Sequence, residues 1–265
     1  MHQQHATYQN RHMKFVIIGG SGRIGSKLVG KLRDRGHNVL SASPETGVNT
    51  VTGQGVSEAL RGADVVVDVS NSPSFDDAPA LQFFVTSTTN LLDAELAAGV
   101  GHHIALSVVG TEKLQQNGYF RAKLAQETLI SSATIPYTIV HATQFYEFLG
   151  AIANAATSDG AVRLPSILVQ PMAAADVATA LAEIAVEAPA NGIVEVAGPT
   201  HWTLDEVVRQ LLAARHDARR VITDPKAPYW GIEGVGERTL MPRGNARVAT
   251  TRLDEWVTEP VVAKS

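Results

Sequence analysis

Two constellations in this chain have the residue types and spacing to do chemistry. The first is Gly19-Gly20-Ser21-Gly22-Arg23-Ile24-Gly25, in which Gly20, Gly22 and Gly25 make G-x-G-x-x-G. Glycine in these places allows a tight turn, removes a Cβ that would block a pyrophosphate, and lets a helix lie close to the preceding strand. A helix starting here offers unpaired N–H groups and the positive end of its dipole to phosphate. The second is Tyr119-Phe120-Arg121-Ala122-Lys123, a Y-x-x-x-K whose ends share one helical face, preceded by Ser107 at a strand end. An ammonium beside a tyrosine favours the phenolate, which tunes the tyrosine for exchanging a proton with a carbonyl oxygen. Ser107 would hold that oxygen, and Lys123 could also reach the ribose of a nicotinamide dinucleotide.

The elements that must position these groups alternate between strand and helix, the pattern of a parallel sheet covered on both faces. Strands are expected at about 14–18, 38–42, 64–69, 103–108, 137–141 and 193–197. Helices are expected at about 23–35, 56–61, 79–99, 119–133, 145–157, 174–187 and 203–215. Val65, Val66, Val67 and Val69 form the near-continuous apolar run of a strand buried on both faces. Gly36 and Gly99 are placed to close helices, Asp176 before alanines and Leu181 marks a helix start, and Thr203 with Glu206 has capping-box spacing. The fold class is therefore α/β, with a cofactor expected over the carboxyl ends of a doubly wound sheet. From about Gly150 onward the alternation loosens, and Pro165, Pro171, Pro199, Pro225, Pro228 and Pro242 punctuate it, as in a lid or substrate-binding region. The expected organisation is an extension over 1–12, a dinucleotide-binding core over 13–150, and the remaining elements with the lid over 151–265, as one domain.

Composition narrows the function. The chain has 265 residues, 45% of them hydrophobic and 18% charged, as in a globular protein with a substantial core. A net charge of −4 argues against a nucleic-acid or anionic-membrane partner and leaves a small-molecule substrate as the expected one. The absence of cysteine excludes disulfides, thiolate metal sites and cysteine nucleophiles, and fits the cytoplasm. His2, His5 and His12 read as scattered residues of the extension, and Asp76 and Asp77 have no histidine at ligand spacing, so no metal is expected. Phe145 and Tyr146, with Phe148, follow the fifth strand where a substrate cleft would open. Tyr229 and Trp230 sit in a Gly/Pro-rich loop suited to a lid, with Trp230 a substrate contact. His102 and His103 read as structural. Oligomeric state is not legible, and a homo-oligomer stays open.

The motifs together resemble the NmrA-like, NAD(P)-binding group of atypical short-chain dehydrogenases/reductases. The resemblance is carried by Gly19 to Gly25, by Ala105-Leu106-Ser107-Val108-Val109-Gly110, by Tyr119 to Glu127, and by Ile135-Pro136-Tyr137-Thr138-Ile139-Val140. It implies a Rossmann fold, a nicotinamide cofactor and a small, variable substrate region. Members of the group divide between reductases and cofactor-binding proteins with little turnover. Tyr119 with Lys123 is similar to the reductases. The chain departs at His141, where similar proteins often carry arginine, so that arginine's role does not transfer.

The second strand ends Ser41-Ala42-Ser43 with no acid for a ribose 2′-hydroxyl, while Arg23 in the glycine loop could meet a 2′-phosphate. NADP is favoured, with NAD open. Ser70, Asn71 and Ser72, just past the third strand, are expected to line the cofactor. The leading expectation is an NAD(P)H-dependent reductase of a small carbonyl or enone with Tyr119 as proton donor. A redox-sensing NAD(P)-binding protein and an epimerase or isomerase are the alternatives.

Overall fold

The computed structural model describes residues 12–258; the rest of the expected extension, with His2 and His5, lies outside the described residues. The chain divides into two compact units. The first runs up to Ala142 and takes back Val177–Val194, and the second holds Thr143–Asp176 and the chain from Glu195 onward.

The first unit opens on β1 (Lys14–Ile18), α1 (Arg23–Asp34), β2 (Asn38–Ala42), α2 (Val56–Leu60) and β3 (Val65–Asp68). It continues through α3 (Asp77–Ala98), β4 (His102–Val108), α4 (Gly118–Ser132) and β5 (Tyr137–Ala142). β1 pairs in parallel with β2 and β3, β3 with β4, and β4 with β5. The full sheet has seven strands in the order β12-β9-β5-β4-β3-β1-β2, with β9 (Gly192–Ala197) beyond β5 and β12 (Arg247–Val248) parallel to β9. The fold is thus the doubly wound, Rossmann-type parallel sheet that the sequence predicts. Strand order reverses between β1 and β3, so the loops after these two strands flank the crevice where such sheets bind ligands.

Side-chain periodicity explains why these segments pair. All four residues of β3 are buried, and Val16, Ile18, Val66, Leu60 and Leu91 join in one cluster on one face of the sheet. Gly99 closes α3 in the left-handed conformation (φ +70°), as its spacing predicts. The capping box at Thr203 does not form: Thr203 stands at the N-cap without a side-chain capping bond to the helix backbone.

His102 and His103 open β4 and are buried. His102 Nε2 lies 2.8 Å from Thr138 Oγ1, and His103 Nδ1 lies 2.8 and 2.9 Å from the two carboxylate oxygens of Glu95 on α3. Burial lowers the His103 pKa, but the charge and hydrogen bond of Glu95, with the charge of Asp68, outweigh it and hold the imidazole above its ordinary value. A group whose folded pKa is raised adds stability that is complete below its unfolded pKa and is lost as pH rises through the folded one. Glu95→Gln is therefore expected to cost ~3–5 kcal/mol at about pH 6 and less at about pH 9. Urea unfolding at both pH values checks this, and an equal loss at the two would overturn it.

The second unit carries α5 (Tyr146–Ala155), β6 (Thr157–Ser158), β7 (Ala161–Leu164) and β8 (Leu168–Val169). Then follow β10 (Trp202–Thr203), α7 (Leu204–Ala214), β11 (Arg220–Thr223) and α8 (Leu253–Thr258); α6 (Ala174–Ile184) begins in this unit and ends in the first. β11, β7 and β6 form a three-stranded sheet, and β10 pairs antiparallel with β8. Tyr146, expected to face substrate, is instead fully buried. Its ring lies 5.5 Å from that of Trp256, and its hydroxyl donates to Thr251 O at 3.2 Å, which makes it a core residue of this unit. Among the described residues no helix is long and apolar enough to cross a membrane.

Candidate functional site

The glycine loop follows β1, and close neighbours leave no room for a side chain at Gly19, Gly20 or Gly25. Gly19 is left-handed (φ +77°), and a Cβ there would lie 2.9 Å from the backbone N and Cα of Ser70. At Gly20 it would lie 2.4 Å from Ser41 Oγ, and at Gly25 only 2.2 Å from Gly19 O. The Gly19 and Gly20 N–H groups donate to Ala42 O at 2.9 and 3.2 Å, which fastens the loop to the end of β2. α1 begins directly after, with Gly22 as an N-cap that makes no side-chain cap bond and with no acid in the first turn. The helix dipole is not neutralised by a carboxylate in the first turn, so these residues fit the pyrophosphate of NAD(P).

The neighbouring cofactor candidates divide by exposure. Ser41 and Ser70 are half-buried, Asn71 is exposed, and Arg23 and Ser21 are exposed in the loop. Ser43 is only 3% exposed. Its backbone N–H donates to Thr46 Oγ1 at 2.9 Å in a short 3₁₀ turn.

Tyr119 and Lys123 share α4, but their heads go to different places. The Tyr119 hydroxyl donates to Asn71 Oδ1 at 3.1 Å, at the loop after β3. Its ring lies 5.3 Å from that of Phe75 and 5.9 Å from that of Phe84. Lys123 is 2% exposed. Its ammonium donates to Leu106 O at 2.8 Å and to Gln126 Oε1, and stands 4.5 Å from the centre of the Phe84 ring. Burial lowers the Lys123 pKa to about 8, against the opposing charges of Asp68 and Glu127. Burial also pushes the Tyr119 phenol up to about 12. The expectation that the ammonium would favour the phenolate is therefore corrected: the interior carbonyl and amide draw the ammonium away, and desolvation keeps the phenol neutral.

Ser107 lies near the end of its strand with its hydroxyl turned to a buried carboxylate. It is 3% exposed, and its hydroxyl donates to Glu127 Oε1. In the β4–β5 register Ser107 pairs with His141, whose Nε2 lies 3.0 Å from the same carboxylate oxygen. Neighbours directly paired across a parallel ladder point to one face, and Glu127 of α4 covers both. Burial would raise the Glu127 pKa, but hydrogen bonds from His141 and Ser107 and the charges of His141 and Lys123 hold it below the usual carboxylate range. His141 thus has a structural task in this chain, holding the buried carboxylate at the position where similar proteins often carry arginine.

Sequence reasoning missed Asp68, Gln126 and Glu127. Asp68 is 2% exposed at the end of β3. Its Oδ1 accepts from the Ser70 N–H and hydroxyl at 2.9 and 2.6 Å, and its Oδ2 accepts from Gln126 Nε2 at 3.1 Å. A hydrogen-bonded chain therefore runs from Ser70, against Gly19, through Asp68 and Gln126 to Lys123. One signal was available: an acid ending a strand of valines must find polar partners inside. Another was Glu127, one turn beyond Lys123 on the face that carries Tyr119.

Comparison with known proteins agrees with this geometry. A family model described as NAD(P)H-binding matches residues 19–188. The curated relatives include the photosystem II assembly factor Ycf39 of Cyanophora paradoxa, 26% identical over 151 residues, which cover 52% of this chain and 47% of that one. Ycf39 of Synechocystis sp. is 24% identical over 151 residues, again 52% of this chain and 46% of the relative. The chain spans about half the length of the curated relatives it matches. Among solved structures, the NADPH-dependent quinone oxidoreductase QOR2 of Escherichia coli, complexed with NADPH, aligns with a TM-score of 0.60 and 20% identity over 79% of this chain and 77% of that one. The UDP-glucose 4-epimerase of Thermus thermophilus, complexed with NAD, aligns with a TM-score of 0.64 and 20% identity over 86% and 92%. With the family model, the glycine cradle and the doubly wound sheet in agreement, the chain belongs to the NAD(P)H-binding family, as its resemblance to the atypical short-chain dehydrogenases/reductases implies.

Proposed function

We propose that this chain is an NAD(P)H-dependent oxidoreductase that reduces a small carbonyl or enone, with Tyr119 as the proton donor. The observation that carries the reading is the Tyr119–Asn71 hydrogen bond, which sets the phenol at the loop after β3, the loop whose Ser70 lies against the glycine turn. Bound NAD(P)H supplies the hydride. Tyr119, held neutral by burial, gives its proton to the oxygen that receives the developing negative charge. Lys123 and Ser107 serve this site from inside the unit, Lys123 by tying α4 to β4 and Ser107 by fixing Glu127. The quinone oxidoreductase among the structural relatives supports the reaction class, and the lack of cysteine suits a cytoplasmic setting.

NADPH is the preferred cofactor in this reading, because β2 ends without an acid and Arg23 is exposed in the glycine loop. Titration with NADPH and NADH is expected to show tighter binding of NADPH, and a clear preference for NADH would refute the assignment. Turnover is tested by following NADPH absorbance across a panel of quinones, enones and aldehydes. One observation favours a second reading, a cofactor-binding protein with little turnover: the Ser107 hydroxyl is committed to Glu127. Tight NADPH binding with no turnover across the panel would select that reading.

A further inference from the structure

The second unit contains a cavity of about 390 Å³ that none of the chemistry above uses. It lies among the end of α5, strands β6 and β7, and the loop that follows β11. Its size falls in the range of small-molecule sites, as does its make-up, a mostly apolar wall with a few converging polar groups. Ile152, Leu164, Pro228 and Trp230 supply apolar wall.

Two features separate it from an accident of packing. Trp230 sits in the left-handed region (φ +49°), which a bulky residue adopts only when its surroundings hold it there. The restraint is visible. Tyr229 and Ile232 exchange backbone hydrogen bonds of 3.0 and 2.9 Å around Trp230, and the indole N–H bonds to the buried Tyr229 hydroxyl. Trp230 nevertheless remains 39% exposed, so a fixed aromatic surface is presented at the cavity. Strained, over-restrained residues of this kind cluster at ligand clamps.

The second feature is charge. Arg163 of β7 and Lys226 both line the cavity, and among the described residues neither lies within 4.0 Å of a carboxylate. The opposing acid, Asp224, spends its Oδ1 on the Lys226 backbone N–H at 3.0 Å. Two cations against one such carboxylate leave the rim positive over an aromatic wall. On the same wall the Thr157 hydroxyl is fixed, donating to Ala153 O at 2.7 Å and accepting from Arg219 at 2.9 Å.

We propose that this cavity binds a planar aromatic acid, its ring against Trp230 and its anionic group at Arg163 and Lys226. Guanidinium and ammonium groups recognise a carboxylate by charge-assisted hydrogen bonds, and a fixed indole offers a face for stacking. The site is read by equilibrium binding, without cofactor or turnover, so its failure and that of the oxidoreductase reading are separate results.

The test titrates the full chain with 2-naphthoate while following tryptophan fluorescence, with the uncharged 2-naphthalenemethanol and with acetate as parallel arms. The expected result is saturable quenching by 2-naphthoate, with the neutral analogue at least about tenfold weaker and acetate without effect. Trp230→Phe is expected to remove most of the quenching although Trp202 and Trp256 remain. Arg163→Ala and Lys226→Ala are each expected to raise Kd about tenfold, and Arg163→Lys to recover part of the loss. Both residues are exposed, so these variants are expected to keep their fold, which circular dichroism checks. Equal affinity for the acid and the alcohol, or a Kd unmoved by both charge removals, would overturn the proposal. So would a lack of saturable binding up to about 10 mM, a Kd too weak to separate from non-specific contact.

Discussion

Gly25→Ala is expected to weaken NADPH binding roughly 100-fold, about 2.8 kcal/mol, and to lower stability as well. The reason is steric and local. The new Cβ would lie 2.2 Å from Gly19 O and 2.7 Å from Gly20 Cα, and both are backbone atoms that no rotamer change can move. Either α1 withdraws from β1 or the loop deforms, and both outcomes displace the helix N-terminus that is proposed to receive the pyrophosphate. The control lies in the same helix. A Cβ at Gly30 would meet nothing within 4 Å, so Gly30→Ala is expected to leave NADPH affinity unchanged. It should also add ~0.5–1 kcal/mol, because alanine is the better helix former. Nucleotide fluorescence titration and urea unfolding of the two variants separate the effects. Wild-type affinity in Gly25→Ala would show that the cradle is not where the dinucleotide binds.

Tyr119→Phe is expected to lower kcat by ~10²–10⁴ while leaving the Kd for NADPH within about twofold of wild type. The substitution removes one hydroxyl and keeps the ring among Phe75 and Phe84, so packing is preserved. The lost hydrogen bond to Asn71 is near the surface and costs stability only ~0.5–1.5 kcal/mol. Because burial holds the Tyr119 phenol at about 12, its proton is present throughout the neutral range, and no alkaline limb from Tyr119 is expected below about pH 11. Unchanged turnover in Tyr119→Phe would remove the tyrosine from the mechanism, and a parallel loss of NADPH binding would assign it to the cofactor instead.

Long elements were legible in the residues, and short ones were not. The strand expected at about 38–42 is found as Asn38–Ala42, and the helix expected at about 119–133 as Gly118–Ser132. These segments are long enough for their apolar period to repeat. β6, β8, β10 and β12 have two residues each, too few for any alternation to register. Their pairing depends on chain brought from far along the sequence, as when Trp202 meets Val169.

The candidate site shows the same division. The glycine spacing announced a dinucleotide loop because its requirements are local: a turn and a helix that begins at once. The position of Ser107 at the end of β4 was legible too, but not the partner its hydroxyl takes. That depends on His141 arriving opposite it in the β5 register and on Glu127 descending from α4.

Sequence alone determined the parallel α/β sheet, the glycine turn that leads from β1 into α1 and the sharing of one helix by Tyr119 and Lys123. These follow from periodicities and steric needs within a few residues of each other. Tertiary structure alone decided that Lys123 turns inward to Leu106 O, that Asp68 and Gln126 link it to Ser70, and that Tyr119 stays neutral. A buried charge or phenol is governed by the desolvation and hydrogen-bond partners that surround it, and here those partners come from β3, β4 and α4 at once.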